Sequence, residues 1–254
     1  ADLSCCVGLS LARPFSFCDT PRMCGRFAIT LPDDAMVQLF QALPSNDLPE
    51  GPRYNVCPTN SVHVVISDEA RRLRPMRWGF LPHWYKTTND GPLLINARSE
   101  TIAEKPAFRA ACRERRCLIP ATGFYEWTKT PDGARLPWYI YRADGAPLVF
   151  AGVWQDWERG DEAFTTCAIV TCSANESMSA IHKRMPVVLE EGDWGKWLGE
   201  EGKGAATLMR PSAEDVLNFY RVDPAVNSNR AAGPQLVAPL ESGETEDDEN
   251  GADA

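Results

Sequence analysis

The residue with the most unusual chemical potential is Cys24, which follows Met23 in the segment MCGRF (23–27). An initiator methionine is removed when the next side chain is small, so a start at Met23 makes Cys24 the first residue. It then carries an α-amine with a pKa of about 7.7–8.0 and a thiol near about 8.5 on adjacent carbons. The amine condenses with an aldehyde to a Schiff base, and the thiol closes onto the same carbon as a five-membered thiazolidine. Closure is intramolecular and gains a large effective concentration. An internal cysteine lacks the free amine. The plainer alternative is that Cys24 is one buried thiol among nine.

Three further segments place polar groups where such a reaction needs them. In LINARSET (94–101) an apolar strand ends in Asn96 and, one residue later, Arg98. Alternate residues of an extended segment share a face, so an amide that orients an amine and a guanidinium that clamps a phosphate point the same way. In GFYEW (123–127) a single carboxylate, Glu126, sits in an aromatic run. Burial there raises a carboxyl pKa and a nearby arginine lowers it, and either way the group can relay protons. In IHKRMP (181–186) His182 lies beside two bases at an expected helix end, as an acid or base near neutral pH. Each has a structural alternative: a capped strand edge, a solvent-facing strand glutamate, and a histidine favoured by a helix dipole. The other histidines read as structural (His63, in a strand pattern) and exposed (His83, in LPHWY).

The elements that must hold these groups are short. Asp33 and Asp34 read as caps of a helix whose apolar face is Met36, Val37, Phe40 and Leu43. Strands are expected at 62–66, 74–82, 117–119, 123–128, 137–142, 148–154, 164–171 and 187–189. Helices are expected at 106–116, with Pro106 in the first turn, at 193–198, and after a cap at Asn175 up to about His182. Many strands with few interspersed helices predict a single α+β domain with a curved, largely antiparallel, β-barrel-like sheet flanked by short helices. There is no βαβ alternation and no Gly-rich phosphate loop.

Composition narrows the function. The chain of 254 residues is 44% hydrophobic, enough for a proper core. It has no apolar run of the ~18 residues a membrane helix needs. Nine cysteines, several within apolar runs, fit reduced thiols in a reducing compartment, read here as a cytoplasmic location. The net charge of −9 is concentrated in residues 241–254, with seven acids and no bases, whereas residues 71–116 hold eleven Lys or Arg against four Asp or Glu. That local excess suits phosphates. The expected organisation is an unstructured or non-native leader over 1–22, a globular domain over 23–240 and a disordered acidic tail over 241–254. Metal chemistry is not indicated. Cys112/Cys117 and Cys167/Cys172 are separated by four residues, with no paired C-x2-C and no HExxH. A serine hydrolase lacks its G-x-S-x-G elbow.

In order and spacing, MCGRF (23–27), RYNVCPTN (53–60), RWGFLP (77–82), INARSET (95–101), RCLIPATGFYEW (116–127), PWYIYR (137–142), FAGVW (150–154), FTTCAIVT (164–171) and IHKRMPV (181–187) resemble the SOS response-associated peptidase family, also called abasic site processing proteins. The resemblance spans about Met23 to Leu240. It implies one α+β domain with a basic groove for single-stranded DNA. It also implies a covalent link from the N-terminal cysteine to the open-chain aldehyde of an abasic site. Carried over, Cys24 supplies amine and thiol, Asn96 positions the amine or the opened sugar, Glu126 shuttles protons, and His182 assists acid–base steps. Arg26, Arg98 and Arg184 resemble phosphate contacts, and Trp78 and Trp127 pack against sugar or base. The peptidase label implies self-processing that exposes Cys24. The implied partner is single-stranded DNA containing abasic sites, with no cofactor, no metal, no membrane and a monomeric state. This sequence departs at position 106, where some members have arginine; here it is Pro106, beside Lys105 and Arg109.

Two other classes stay open on the residues alone. In one, Cys24 is the nucleophile of an amidohydrolase or protease with its own amine as base. In the other, the chain is a non-enzymatic single-strand binder.

Overall fold

The computed structural model describes residues 25–240. Cys24, the segment 1–22 and the acidic tail 241–254 lie outside the described residues. In chain order the elements are β1 (Arg26–Ile29), α1 (Asp33–Phe40), β2 (Leu43–Pro44), β3 (Arg53–Val56), β4 (Ser61–Ser67), β5 (Arg71–Trp78), β6 (Asn96–Arg98), α2 (Arg109–Glu114), β7 (Arg116–Ala121), β8 (Gly123–Lys129), β9 (Arg135–Arg142), β10 (Leu148–Arg159), β11 (Glu162–Ser173), α3 (Glu176–Ser179), β12 (Arg184–Pro186), α4 (Trp194–Leu198) and β13 (Leu217–Arg221), with short 3-10 turns between the later ones.

The strands form two sheets. The smaller has the order β13-β9-β8-β1-β3. The larger runs β12-β11-β10-β7-β4-β5-β2, and β5 also pairs in parallel with β11 through Thr166↔Arg77 and Cys167↔Trp78. That extra pairing closes β11, β10, β7, β4 and β5 into a ring. The α+β class with a curved, mostly antiparallel barrel-like sheet is therefore what the sequence predicts. The inner halves of β10 and β11, LVFAGV and CAIVTC, are buried throughout. Such unbroken apolar runs mark strands covered on both faces.

The two sheets meet through aromatic rings. Phe27 and Phe124 come from the smaller sheet, and Trp78 and Phe150 from the larger. Phe27 meets Trp78 at 5.1 Å and Phe150 at 6.1 Å, and Phe124 meets Phe150 at 5.9 Å, all steeply inclined. All four side chains are buried to within 1% of their surface. Edge-to-face geometry adds to the large area each ring removes from water.

Several expected boundaries move, for local reasons. The N-cap of α1 is Pro32, without a side-chain cap bond. Asp34 accepts the neighbouring Ala35 N–H, and Asp33 pairs with the buried His63 at 3.0 Å. Leu43 leaves the helix face for β2 and is 56% exposed, because Gln41 ends α1 in a left-handed conformation. The strand expected to reach residue 82 stops at Trp78, where Gly79 takes φ +142° and turns the chain. The helix expected over 106–116 is limited to α2, and Pro106 sits in the turns before it. The strand expected at 187–189 is β12 at 184–186, followed by a single bridge at Val188. Asn175 does cap α3, accepting the Met178 N–H.

Phe150 touches both rings contributed by the smaller sheet. Phe150→Ala is expected to destabilise the protein by about 3–5 kcal/mol, the usual cost of emptying a large buried aromatic site. A urea melt measures this, and a loss below about 1 kcal/mol would mean the inter-sheet packing does not depend on this ring.

Candidate active site and the cleft beside it

The C-terminal half of β11 organises the polar residues. On one side it carries β6 in parallel, with Ile169 opposite Asn96 and Thr171 opposite Arg98. On the other it carries β12 antiparallel, with Ser173 opposite Arg184. One strand therefore brings together INAR and HKR, segments far apart in sequence. Between them lies a groove of about 640 Å³ lined by Leu94, Asn96, Arg98, Ile181, His182 and Arg184, among others.

Glu126 comes from the other sheet. On β8 it shares a face with Phe124, which points into the inter-sheet packing. Glu126 is 2% exposed, and its Oε1 lies 3.9 Å from Nδ1 of His182. Burial between sheets, not alternation with solvent, is what the aromatic run around Glu126 signals. His182 follows α3, its backbone N–H bonded to Met178 O at 2.9 Å. The Arg184 N–H donates to His182 Nδ1 at 3.1 Å, and the Arg184 carbonyl lies 3.1 Å from the same nitrogen. A neutral ring accepts from that N–H and keeps its proton on Nε2; a protonated ring donates to the carbonyl. The imidazole thus has a partner in either state, beside a carboxylate, which is the arrangement a proton shuttle needs.

The expected DNA-contact residues separate into groups. Arg98 is exposed beside the groove. Arg184 is held by a fork to Glu100 and by Thr171, whose carbonyl it meets at 2.8 Å. The Arg184 guanidinium and backbone N–H groups hold the Glu100 carboxyl below the usual range. Arg26 faces away from a phosphate role: its guanidinium donates to Asn55 and to the carbonyls of Val226, Asn227 and Ser228, pinning the C-terminal segment. Trp78 corrects the expectation of a sugar or base contact. It is fully buried and its indole N–H donates to Ile95 O at 3.0 Å, so no ring face is available. Trp127 is half-buried, its indole N–H on Asn227 at 2.6 Å and the Arg135 guanidinium 4.7 Å over its ring.

This assembly, one carboxylate and one imidazole meeting across two sheets beside a groove flanked by basic side chains, coincides with a family match. Residues 23–229 match the SOS response associated peptidase (SRAP) profile. The chain belongs to the SRAP family. It is 35% identical over 223 residues to abasic site processing protein YoqW of Bacillus subtilis, covering 85% of this chain and 99% of that protein. It is 35% identical to abasic site processing protein YedK of Escherichia coli, over 86% of this chain and all of that one. Rat abasic site processing protein HMCES is 31% identical, over 86% of this chain and 76% of its own length. Among solved structures, a phage-related protein from Bordetella bronchiseptica superposes with a TM-score of 0.62 at 30% identity, covering 78% of this chain and 94% of that one. A Bacteroides thetaiotaomicron protein shares the fold at a TM-score of 0.75 and 24% identity, covering 86% of this chain and all of that one.

Three contributors to the SRAP groove escape a reading of single residues. Lys183 and Ser179 line it, and Thr171 positions Arg184 from β11. Lys183 lies inside the IHKRMPV segment, so its neighbours carried the signal. Thr171 acts mainly through its carbonyl, which side-chain identity does not advertise.

The described cysteines do not compete as nucleophiles. Burial raises the thiols of Cys117 and Cys167, and pushes Cys172 up to about 11. Burial also raises Cys57 and Cys112, although neighbouring arginines oppose it. A thiolate is the reactive form, so the three buried thiols, Cys117, Cys167 and Cys172, resist alkylation near neutral pH. Treating the native protein with iodoacetamide at about pH 7.5 and mapping peptides is expected to leave Cys117, Cys167 and Cys172 unmodified until the protein is unfolded. Rapid native labelling at any of the three would contradict the burial assigned to it.

Proposed function

We propose that this chain binds single-stranded DNA and traps abasic sites covalently through the amine and thiol of Cys24. The observation that carries the reading is the junction of Glu126 and His182 next to the point where the chain enters β1. Arg26 is in register with Tyr125, the neighbour of Glu126. Cys24 is only two residues upstream, and two residues reach at most ~7 Å. The names of the relatives, abasic site processing proteins, support the choice of electrophile.

The amine of Cys24 attacks the aldehyde carbon of the ring-opened sugar. Glu126 and His182 move protons so that the carbinolamine loses water, and the thiol adds to the resulting imine carbon. One water leaves, and no oxidant or reductant is needed. Asn96, in the same groove as His182, orients the amine or the opened sugar. Arg98, Lys183 and Arg184 face the backbone phosphates. The chemistry requires that nothing precede Cys24, so translation from Met23 with methionine removal, or self-cleavage ahead of Cys24, is part of the proposal. That self-processing accounts for the peptidase name, and a role in the response to DNA damage follows from the lesion.

The test is incubation of the Met23-start protein with single-stranded DNA carrying one abasic site, followed by a denaturing gel. A shifted protein–DNA species is expected, absent with Cys24→Ala and slowed by about 100-fold or more with Glu126→Gln, the usual contribution of a general acid–base. Non-covalent affinity for intact single strands should fall on the order of tenfold between about 50 and 200 mM salt, as for a few phosphate contacts. Amide turnover dependent on Cys24 without any DNA linkage would favour the amidohydrolase instead.

A further inference from the structure

His182 owes its place to α3, a helix of four residues that does not hold itself. Short helices leave their first N–H groups without intrahelical partners. Here those groups are satisfied from a distant segment. The carboxylate of Glu214 accepts Glu176 N–H on Oε1 at 2.9 Å, and Ser177 N–H and Ser177 Oγ–H on Oε2 at 2.9 and 2.8 Å. These bonds hold the Glu214 carboxyl below its ordinary range. A second tie runs beside it: the Asn175 amide caps Met178 N–H and donates to the carbonyls of Ser212 and Ala213. The far end of α3 is tied to the groove, because the N–H of His182 bonds Met178 O, and just before α3 the Ala174 N–H bonds Lys183 O. Met178 is fully buried, anchoring α3 in the core.

We infer that Glu214 is a positioning residue for His182, setting the reach of the imidazole to Glu126 by fixing the start of α3 from outside the groove. Nothing else among the described hydrogen bonds gives Ser177 N–H an acceptor. Glu214 does not line the groove that holds Asn96 and His182, and its hydrogen bonds go to Glu176 and Ser177. It acts through two or three bonds on a helix of one turn, where loss of the bidentate carboxylate lets the whole turn tilt. The kinetic part of this inference rests on the acid–base reading of His182 given above; the geometric part does not.

The experiment compares Glu214→Ala, Glu214→Gln and Ser177→Ala with the parent protein in two readouts. The first is the imidazole C–H resonance of His182 in the DNA-free protein, assigned with a His182→Gln variant and resolved easily among three histidines. Glu214→Ala is expected to move it while His63 and His83 stay in place. The second is the rate of linkage to abasic DNA at saturating DNA. That rate is expected to drop roughly tenfold with little change in DNA affinity, since a misplacement of about 1 Å costs up to about 100-fold. Glu214→Gln keeps one acceptor oxygen and is expected to restore most of both properties. An unmoved His182 resonance, or a parental linkage rate in Glu214→Ala, overturns the inference. If Glu214→Ala does not fold, Glu214→Gln and Ser177→Ala are judged by the same two criteria. If the resonance moves but neither protein links to DNA, the proposed function fails and the positioning role stands.

Discussion

The site depends on the packing of two sheets against each other. Glu126 rides on β8 of the smaller sheet, whereas Asn96, His182 and Arg184 ride on strands and turns attached to β11 of the larger one. The sheets are joined close by through Thr122, between β7 and β8, but a one-residue link does not by itself fix their separation. Phe27 and Phe124 against Trp78 and Phe150 do so, because close-packed rings resist sliding far more than exposed polar contacts do. Trp78, read from sequence as a ligand contact, serves the site from within the core. The same packing makes Glu126 a buried carboxylate, and a buried carboxylate needs a polar neighbour, which His182 provides.

Much of this was legible in the residues. The strong periodic and apolar runs at 62–66, 123–128, 148–154 and 164–171 are strands, and the α+β class follows from their number. Asn175 as a cap was legible because an Asn just ahead of a short helix satisfies a specific orphan N–H. What was not legible depends on long-range pairing. β6 is three residues long and exists because β11 offers it an edge. Leu43 fits a helical period, yet the helix ends at Phe40, since Gln41 takes a left-handed backbone. Arg26 and Arg184 look alike in sequence, but one meets a row of carbonyls and the other a carboxylate beside the groove. Only the fold distinguishes them.

Charge behaves in the same way. The basic stretch 71–116 suggests a phosphate-binding surface, but several of its members have structural partners. Arg71 pairs with Glu200 and Arg116 donates to the carbonyls of Cys112, Arg113 and Trp197, holding α4 against β7. Arg98 and Lys183 remain at the groove, one from inside that stretch and one from outside it. A count of charges therefore does not identify which cations meet solvent beside the groove.

The grip of Arg26 on residues 226–228 has a consequence for biosynthesis. During translation β1 emerges well before these carbonyls, and its opening residue finds them only after some two hundred further residues have left the ribosome. Until then the neighbourhood of β1 lacks its seal. A polypeptide ending before Pro224 would keep the pairing of β1 with β3 and β8 but leave the Arg26 guanidinium with Asn55 in place of these carbonyls. The last hold on the opening residue of β1 is thereby supplied by a segment made about two hundred residues after it.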